Sequence, residues 1–242
     1  MSRQRITLGL VPARGGSKGV PGKNLRLVRG RPLVAWAVEC GVRAPSIDRV
    51  VVSTDSDQIA KAAQEAGADV PFMRPASLAR DDTPMMPVMQ HAVASVEDIY
   101  ARIVDRLVLI DPTAPLRRVE DIEKAIRMHE EGDCDAVISG NVAHRNPYFN
   151  MVRQEGKYIR LVLEEGRDVG RRQDAPPVYD LNTVVWVYSR NAVMVNAERI
   201  PQRSRLYLVP RERAVDLDTE EDFERLSWMM ERYEKGRLSE DS

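Results

Sequence analysis

Over the first 140 residues, short β-branched runs alternate with segments whose apolar positions recur at helical spacing. The runs ITLGLV (6–11), RVVVST (49–54), DVPFM (69–73), DRLVLID (105–111) and CDAVISGN (134–141) predict strands. Between them, PLVAWAVECGVRA (32–44), DSDQIAKAAQEAGA (55–68), the later part of 85–101 and RRVEDIEKAIRMHEEG (117–132) predict helices. Pro32 stands at a permitted first-turn position, and Gly67 and Gly132 supply stops. Strands separated by helices make right-handed parallel βαβ units, which bind ligands at the carboxyl ends of their strands. The rhythm changes after residue 144. NPYFNMVRQEGKYIRLV (146–162) reads as a hairpin turning at Glu155-Gly156, and the arginine-rich stretch 164–180 reads as a loop. NTVVWVYS (182–189) returns to strand, 205–218 is extended, and a last helix opens at Thr219 with Asp222 completing a capping box. One domain over 1–242 with an inserted arm at 144–185 is expected.

Composition narrows the class. With 242 residues, 43% hydrophobic, the chain can bury one sizeable core. Its 36 basic and 37 acidic side chains nearly cancel, which disfavours nucleic acid and makes any anion site local. No run is long and apolar enough to span a bilayer or to serve as a signal peptide. The two cysteines, Cys40 and Cys134, are expected inside regular elements and suggest neither a disulfide framework nor a metal site; the expected compartment is the cytoplasm.

One local anion site is conspicuous. After the first strand come Gly15, Gly16, Gly19 and Gly22, with Arg14, Lys18, Lys23 and Arg26 among them. Glycines let main-chain N–H groups converge, and cations around that point suit a polyphosphate. A mobile basic turn is the plainer alternative, but ordering so many glycines calls for an offsetting ligand. The loop is not a Walker sequence: Ser17 stands where the first glycine belongs and Asn24 where the magnesium-binding hydroxyl belongs. The dinucleotide spacing fails as well.

VPARGGSKGVPGKNL (11–25) resembles the signature of the acylneuraminate (CMP-nonulosonate) cytidylyltransferases. VVVSTDSDQIA, RPASLARDDT, LIDPTAPLR, RRQDAPPVYDLN and AVDLDTEEDF follow in family order, so the resemblance spans residues 8–223. It implies a Rossmann-like nucleotidyltransferase fold of the glycosyltransferase-A type: a three-layer α/β sandwich with a mostly parallel central sheet and a β-rich dimerisation arm. It also implies CMP transfer from CTP to the anomeric hydroxyl of a sialic-type acid. Arg14, Gly15, Gly16, Ser17, Lys18, Lys23 and Asn24 would hold the triphosphate, Arg14 and Lys23 serving catalysis, with Arg74 and Thr83 on the base side. Asp111, Arg172, Gln173 and Asn182 would face the acid, Arg172 as a fork for its carboxylate. A homodimer is implied, with the arm packed over the neighbour's site.

Asp216 and Asp218 stand two apart on an extended segment and so share a face. Such hard oxygen ligands suit Mg2+ or Mn2+ bridging to phosphates, and Asp218 would be catalytic. Helix capping is the alternative for this pair, as it is for Asp55 and Asp57, which are given no chemistry. Asp111 is weighed evenly between contact with the sugar and a turn role before Pro112. It stands where the family has glutamine, Thr183-Val184 replace Gly-Ala, and Trp186 replaces a tyrosine, all departures on the sugar side. KGVPGKN leans toward legionaminate. A Kdo-like or phosphonate acceptor, and a non-catalytic nucleotide-binding module, remain alternatives; the GGSKG loop counts against Kdo.

Overall fold

The computed structural model describes residues 3–234 apart from Lys18, Asp216 and Asp218. β1 (Arg5–Pro12) is buried from Ile6 onward, as a central strand covered on both faces must be. The chain then forms the short pair β2 (Leu27–Val28) and β3 (Arg31–Pro32), α1 (Leu33–Val42), β4 (Arg49–Ser53), α2 (Asp57–Glu65), α3 (Met85–Tyr100), β5 (Ile103–Leu109), α4 (Val119–Glu130) and β6 (Ala136–Val142). The hairpin β7 (Val152–Glu155) and β8 (Tyr158–Leu161) precedes β9 (Tyr179–Ser189), β10 (Ser204–Leu208) and α5 (Glu220–Glu234).

The central sheet runs β10-β6-β9-β5-β1-β4. Its side chains alternate between two cores. Leu8 and Leu10 of β1 face α3 through Met89, Ala92 and Val96. Val11, with Val52 of β4 and Val108 of β5, faces α1, α2 and α4. The result is the expected three-layer α/β sandwich.

Direction departs from the alternating pattern once. β9 lies antiparallel to both β5 and β6, while the other pairs are parallel. The chain leaves β6, makes the hairpin excursion and comes back at the same end of the sheet, so its return strand has to run the opposite way. Residues 179–185 of the 144–185 stretch are thus part of β9.

Four smaller expectations are corrected. Segment 69–73 forms only a bridge, Val51 to Asp69, because Pro71 has no N–H to continue the ladder. α3 is helical from Met85, since Pro87 falls in the first turn, where amides have no helical partner. The hairpin turns at Gly156-Lys157, with Gly156 at φ +61°. Cys134 precedes β6 rather than lying inside it, whereas Cys40 is in α1.

A third cluster binds the C-terminal segment to the first half of the chain. Phe223 and Leu226 of α5 pack with Val28, Leu33, Leu116, Val215 and a fully buried Leu217. Asp121, buried at the start of α4, takes hydrogen bonds from both terminal nitrogens of Arg213 and from the Tyr207 hydroxyl (2.9 Å). The capping box of α5 forms: Asp222 donates its N–H to Thr219 Oγ1 at 3.2 Å, and Thr219 N–H donates to the Asp222 carboxylate at 2.9 Å.

Candidate active site

The carboxyl ends of β1 and β5 open on one cleft of about 240 Å3. Arg14, Gly16, Ser17, Lys23 and Asn24 line it from the loop behind β1. Arg74, Arg80, Asp81 and Thr83 line it from the segment after β4, and Asp111 and Thr113 form the end beyond β5. A larger hollow of about 600 Å3 lies at the amino end of the sheet, where both acidic side chains are paired. There Arg5 pairs with Asp105 at 2.6 Å and Arg190 with Glu97 at 2.8 Å. Of these two, the smaller cleft is the one that sets loop amides and several cations around one space.

The glycine loop is held at both ends. Ala13 N–H continues the β1–β4 ladder onto the Ser53 carbonyl at 3.0 Å, and Gly15 N–H donates to Asp55 Oδ1 at 2.8 Å. At the other end Gly22 takes the left-handed conformation at φ +63°, where glycine is favoured. Asn24, at the position where a Walker loop has its hydroxyl, turns back and donates Nδ2 to the Arg14 carbonyl at 3.0 Å. Val20, wholly buried, anchors the loop between these ends. Lys18 falls outside the described residues.

Lys23 reaches across the cleft wall and donates Nζ to the carbonyl of Leu217 at 2.6 Å. Leu217 is the residue between Asp216 and Asp218, which themselves lie outside the described residues. The phosphate-type loop and the paired-aspartate segment are therefore joined by a direct hydrogen bond across 194 positions of sequence.

Arg74 is buried and donates Nε to Ser53 Oγ (3.0 Å) and Nη2 to the Ser53 carbonyl (2.6 Å). Burial, with Arg14 acting in the same sense and Asp55 opposing, brings its pKa down to about 10, so it stays charged at neutral pH. Thr83 donates its hydroxyl to the Ser77 carbonyl at 3.4 Å. Arg14 meets Asp81 at 2.5 Å, with both side chains about one-third exposed.

The sequence pattern of the cytidylyltransferase family matches residues 8–222. The chain belongs to that family. It is 33% identical over 219 residues to post-translational flagellin modification protein B of Campylobacter coli, covering 90% of this chain and 92% of that one. It is 34% identical to the CMP-N,N'-diacetyllegionaminic acid synthase of Campylobacter jejuni, covering 90% and 92%. With an N-acylneuraminate cytidylyltransferase of Streptococcus agalactiae it shares 29% identity over 88% of this chain and 51% of that protein. Among solved structures, a CMP:2-keto-3-deoxy-manno-octonic acid synthetase complexed with CTP superposes with TM-score 0.66 at 18% identity, covering 94% of this chain and 99% of that one. A 4-diphosphocytidyl-2C-methyl-D-erythritol synthase gives 0.68 at 14%, covering 95% and 100%. These last two share the fold.

Of the residues expected on the acceptor side, Asp111 fills the turn role. Its Oδ1 accepts from Thr113 N (2.9 Å) and Thr113 Oγ1 (2.8 Å), while the residue still lines the cleft. The residues expected to face the sugar are dispersed. Asn182 is buried within the sheet, donating Nδ2 to Asn141 Oδ1 at 3.2 Å and accepting from Val184 N at 3.2 Å. Trp186, treated above as a sugar-side departure, is buried in the core toward α3 and donates its indole N–H to the Asn182 carbonyl at 2.6 Å. Arg172 and Gln173 sit in an exposed 3-10 turn, with Arg172 donating to the His144 carbonyl at 2.9 Å. Arg171 is occupied by Asp174.

Sequence reasoning gave no site role to four residues. Asp55 props the loop, Asp81 meets Arg14, Thr113 joins Asp111, and Arg117, buried beneath the floor, donates to the carbonyls of Asp111, Thr183 and Val184. Three of these contacts span tens of residues and leave no local signal. The Asp111-Pro-Thr113 turn is local and could have been found.

Proposed function

We propose that this chain transfers CMP from CTP to the anomeric hydroxyl of a nonulosonic acid. The hydroxyl oxygen attacks the α-phosphorus and releases its proton to solvent, the bond from that phosphorus to the β-phosphate bridging oxygen breaks, and pyrophosphate leaves with the electron pair. The Lys23–Leu217 hydrogen bond carries the reading, because it joins an anion-binding loop to the Asp216–Asp218 segment. Arg14 and Lys23 neutralise the triphosphate and the loop amides of Gly16 and Ser17 orient it, the Gly15 N–H being held by Asp55; Asn24 holds the loop in shape. Arg74 and Thr83 serve the base and ribose. Catalysis of this kind rests on alignment and charge neutralisation.

Asp216 and Asp218 would hold Mg2+ or Mn2+. When bound, the ion supplies positive charge to the phosphates and acidifies the attacking hydroxyl.

The test is pyrophosphate release from CTP with N-acetylneuraminate, diacetyllegionaminate, pseudaminate and Kdo, using ATP, GTP and UTP as controls. Release with CTP and at least one nonulosonic acid is expected, and none with any acid removes the proposal.

Asp81 occupies Arg14 in place of a phosphate. A bound triphosphate must take Arg14 from it, so Asp81→Asn is expected to tighten CTP binding about two- to fivefold at low salt, the range of a partly exposed ion pair. Isothermal titration without acceptor checks this, and weaker binding would show instead that Asp81 touches the nucleotide.

The arm completes the site in a dimer. The β7–β8 hairpin is exposed along nearly its whole length, including Tyr158 (60%) and Ile159 (64%). An isolated two-stranded hairpin is marginal in water. A second copy would cover it and bring Arg172 toward an acceptor carboxylate. Sedimentation velocity at micromolar concentration tests this, and a monomer would remove it. Cys40 and Cys134 are both free thiols, in keeping with a reducing cytoplasm.

A further inference from the structure

We infer that the floor formed by Asp111, Thr113 and Thr183 reads the acceptor by a group that donates a hydrogen bond, a hydroxyl or an N–H, and rejects one that can only accept. This deepens the function proposed above and rests on it.

The inference follows from counting protons. Asp111 Oδ1 receives both the N–H and the O–H of Thr113, at 2.9 and 2.8 Å. A carboxylate has no proton to give, so the single hydroxyl proton of Thr113 is spent on it. Thr113 Oγ1 also lies 3.0 Å from Thr183 Oγ1, a pair in which either atom could donate by geometry alone. With the Thr113 proton already committed, Thr183 must be the donor, and its one proton is spent too. What the three side chains have left for a ligand is lone pairs only: Asp111 Oδ2 and the remaining lobes of the hydroxyls.

The cleft is therefore divided by polarity. Arg14 and Lys23 from the loop and Arg74 from the segment after β4 present donors, with Asp81 set against Arg14, while Asp111 and Thr113 present acceptors beyond β5 in the same cavity. Phosphates and an acid's carboxylate are repelled from that far end, so the face of the acceptor meeting it has to bring its own hydrogen. The floor is also rigid. Buried Arg117 donates Nη2 to the Asp111 carbonyl (2.6 Å) and to the Thr183 carbonyl (3.1 Å), and Nε to the Val184 carbonyl. One guanidinium thus fixes the turn after β5 against β9, and the lone pairs are preorganised.

Asp111→Asn tests this with almost no change in shape. The amide oxygen can keep both bonds to Thr113, and an N–H2 replaces the outward oxygen. Initial rates of pyrophosphate release are measured with the acid that wild type uses best. The KM for that acid is expected to rise about tenfold, within the range set by leaving one partly buried polar group without its partner. The KM for CTP, the Mg2+ concentration for half-maximal rate and the melting temperature should each stay close to wild type. Thr183→Val, which removes the hydroxyl that steadies Thr113 Oγ1 in its place, is expected to raise the acid KM as well, and Thr183→Ser to restore it. That pair decides the matter if Asp111→Asn proves unstable.

An unchanged acid KM in Asp111→Asn, or in Thr183→Val where that pair decides, overturns the inference while leaving the reaction standing. A shift in Mg2+ requirement or CTP KM as large as that in acid KM also overturns it, because Asp111 would then serve the metal or nucleotide. Wild type that releases no pyrophosphate with any acid is a different failure, and removes the proposed reaction and this inference together.

Discussion

Asp218→Asn is expected to lower kcat about a thousandfold or more, with the circular dichroism spectrum and melting temperature unchanged. Asparagine keeps the size of the side chain and one oxygen but removes the charge that a hard divalent cation needs. The factor corresponds to about 4 kcal/mol of transition-state stabilisation, within the range of removing one preorganised electrostatic group. The fold should survive because this end of the chain is held by neighbouring residues. Leu217 and Phe223 are buried with Val28 and Leu33, and Arg213 is locked onto Asp121. Steady-state and single-turnover rates at saturating CTP with Mg2+, beside a thermal melt, make the measurement. Turnover near the wild-type rate would show that the ion is held elsewhere.

Lys23→Met should cost about a hundredfold in kcat/KM for CTP and raise the Mg2+ concentration needed for half-maximal rate. Methionine retains much of the stem and loses the ammonium. The loss is double: a cation beside the phosphates disappears, and the carbonyl of Leu217 loses its donor. Lys23→Arg is not expected to rescue, because a planar fork does not substitute for a compact ammonium at a single carbonyl. If the two elements work as a unit, a cycle with Asp218→Asn will be far from additive, the double variant being scarcely worse than Asp218→Asn alone. Additive losses would mean that the hydrogen bond has no bearing on the metal segment. A fall of less than about threefold in Lys23→Met would remove the phosphate role of the loop, since charge-assisted contacts with phosphate are among the strong hydrogen bonds.

The loop behind β1 was legible because its chemistry is local: glycines and cations crowded into a dozen positions leave few other uses. The parallel core was legible from its alternation. The direction of β9 was not, because it depends on where a long excursion re-joins the sheet, which no period encodes. Asn182 has partners that its motif did not announce. Its place in the motif suggested the sugar, yet its amide is engaged with Asn141 and Val184 inside the sheet. Asp81 lay unnoticed in a run of charged residues, since only the folded chain brings it to Arg14. Arg117 likewise reads as the start of an amphipathic helix, and its three carbonyl partners come from β9 and the turn after β5.

Among the described residues the last helix contributes nothing to the lining of the cleft, yet Leu226, Met229 and Met230 wedge it against the strand that leads out of the glycine loop. It acts as a keystone. Damage to its apolar stripe would register as lost chemistry well before the sheet itself came apart, and screens for inactive variants would mark positions there that no inspection of the cleft would single out.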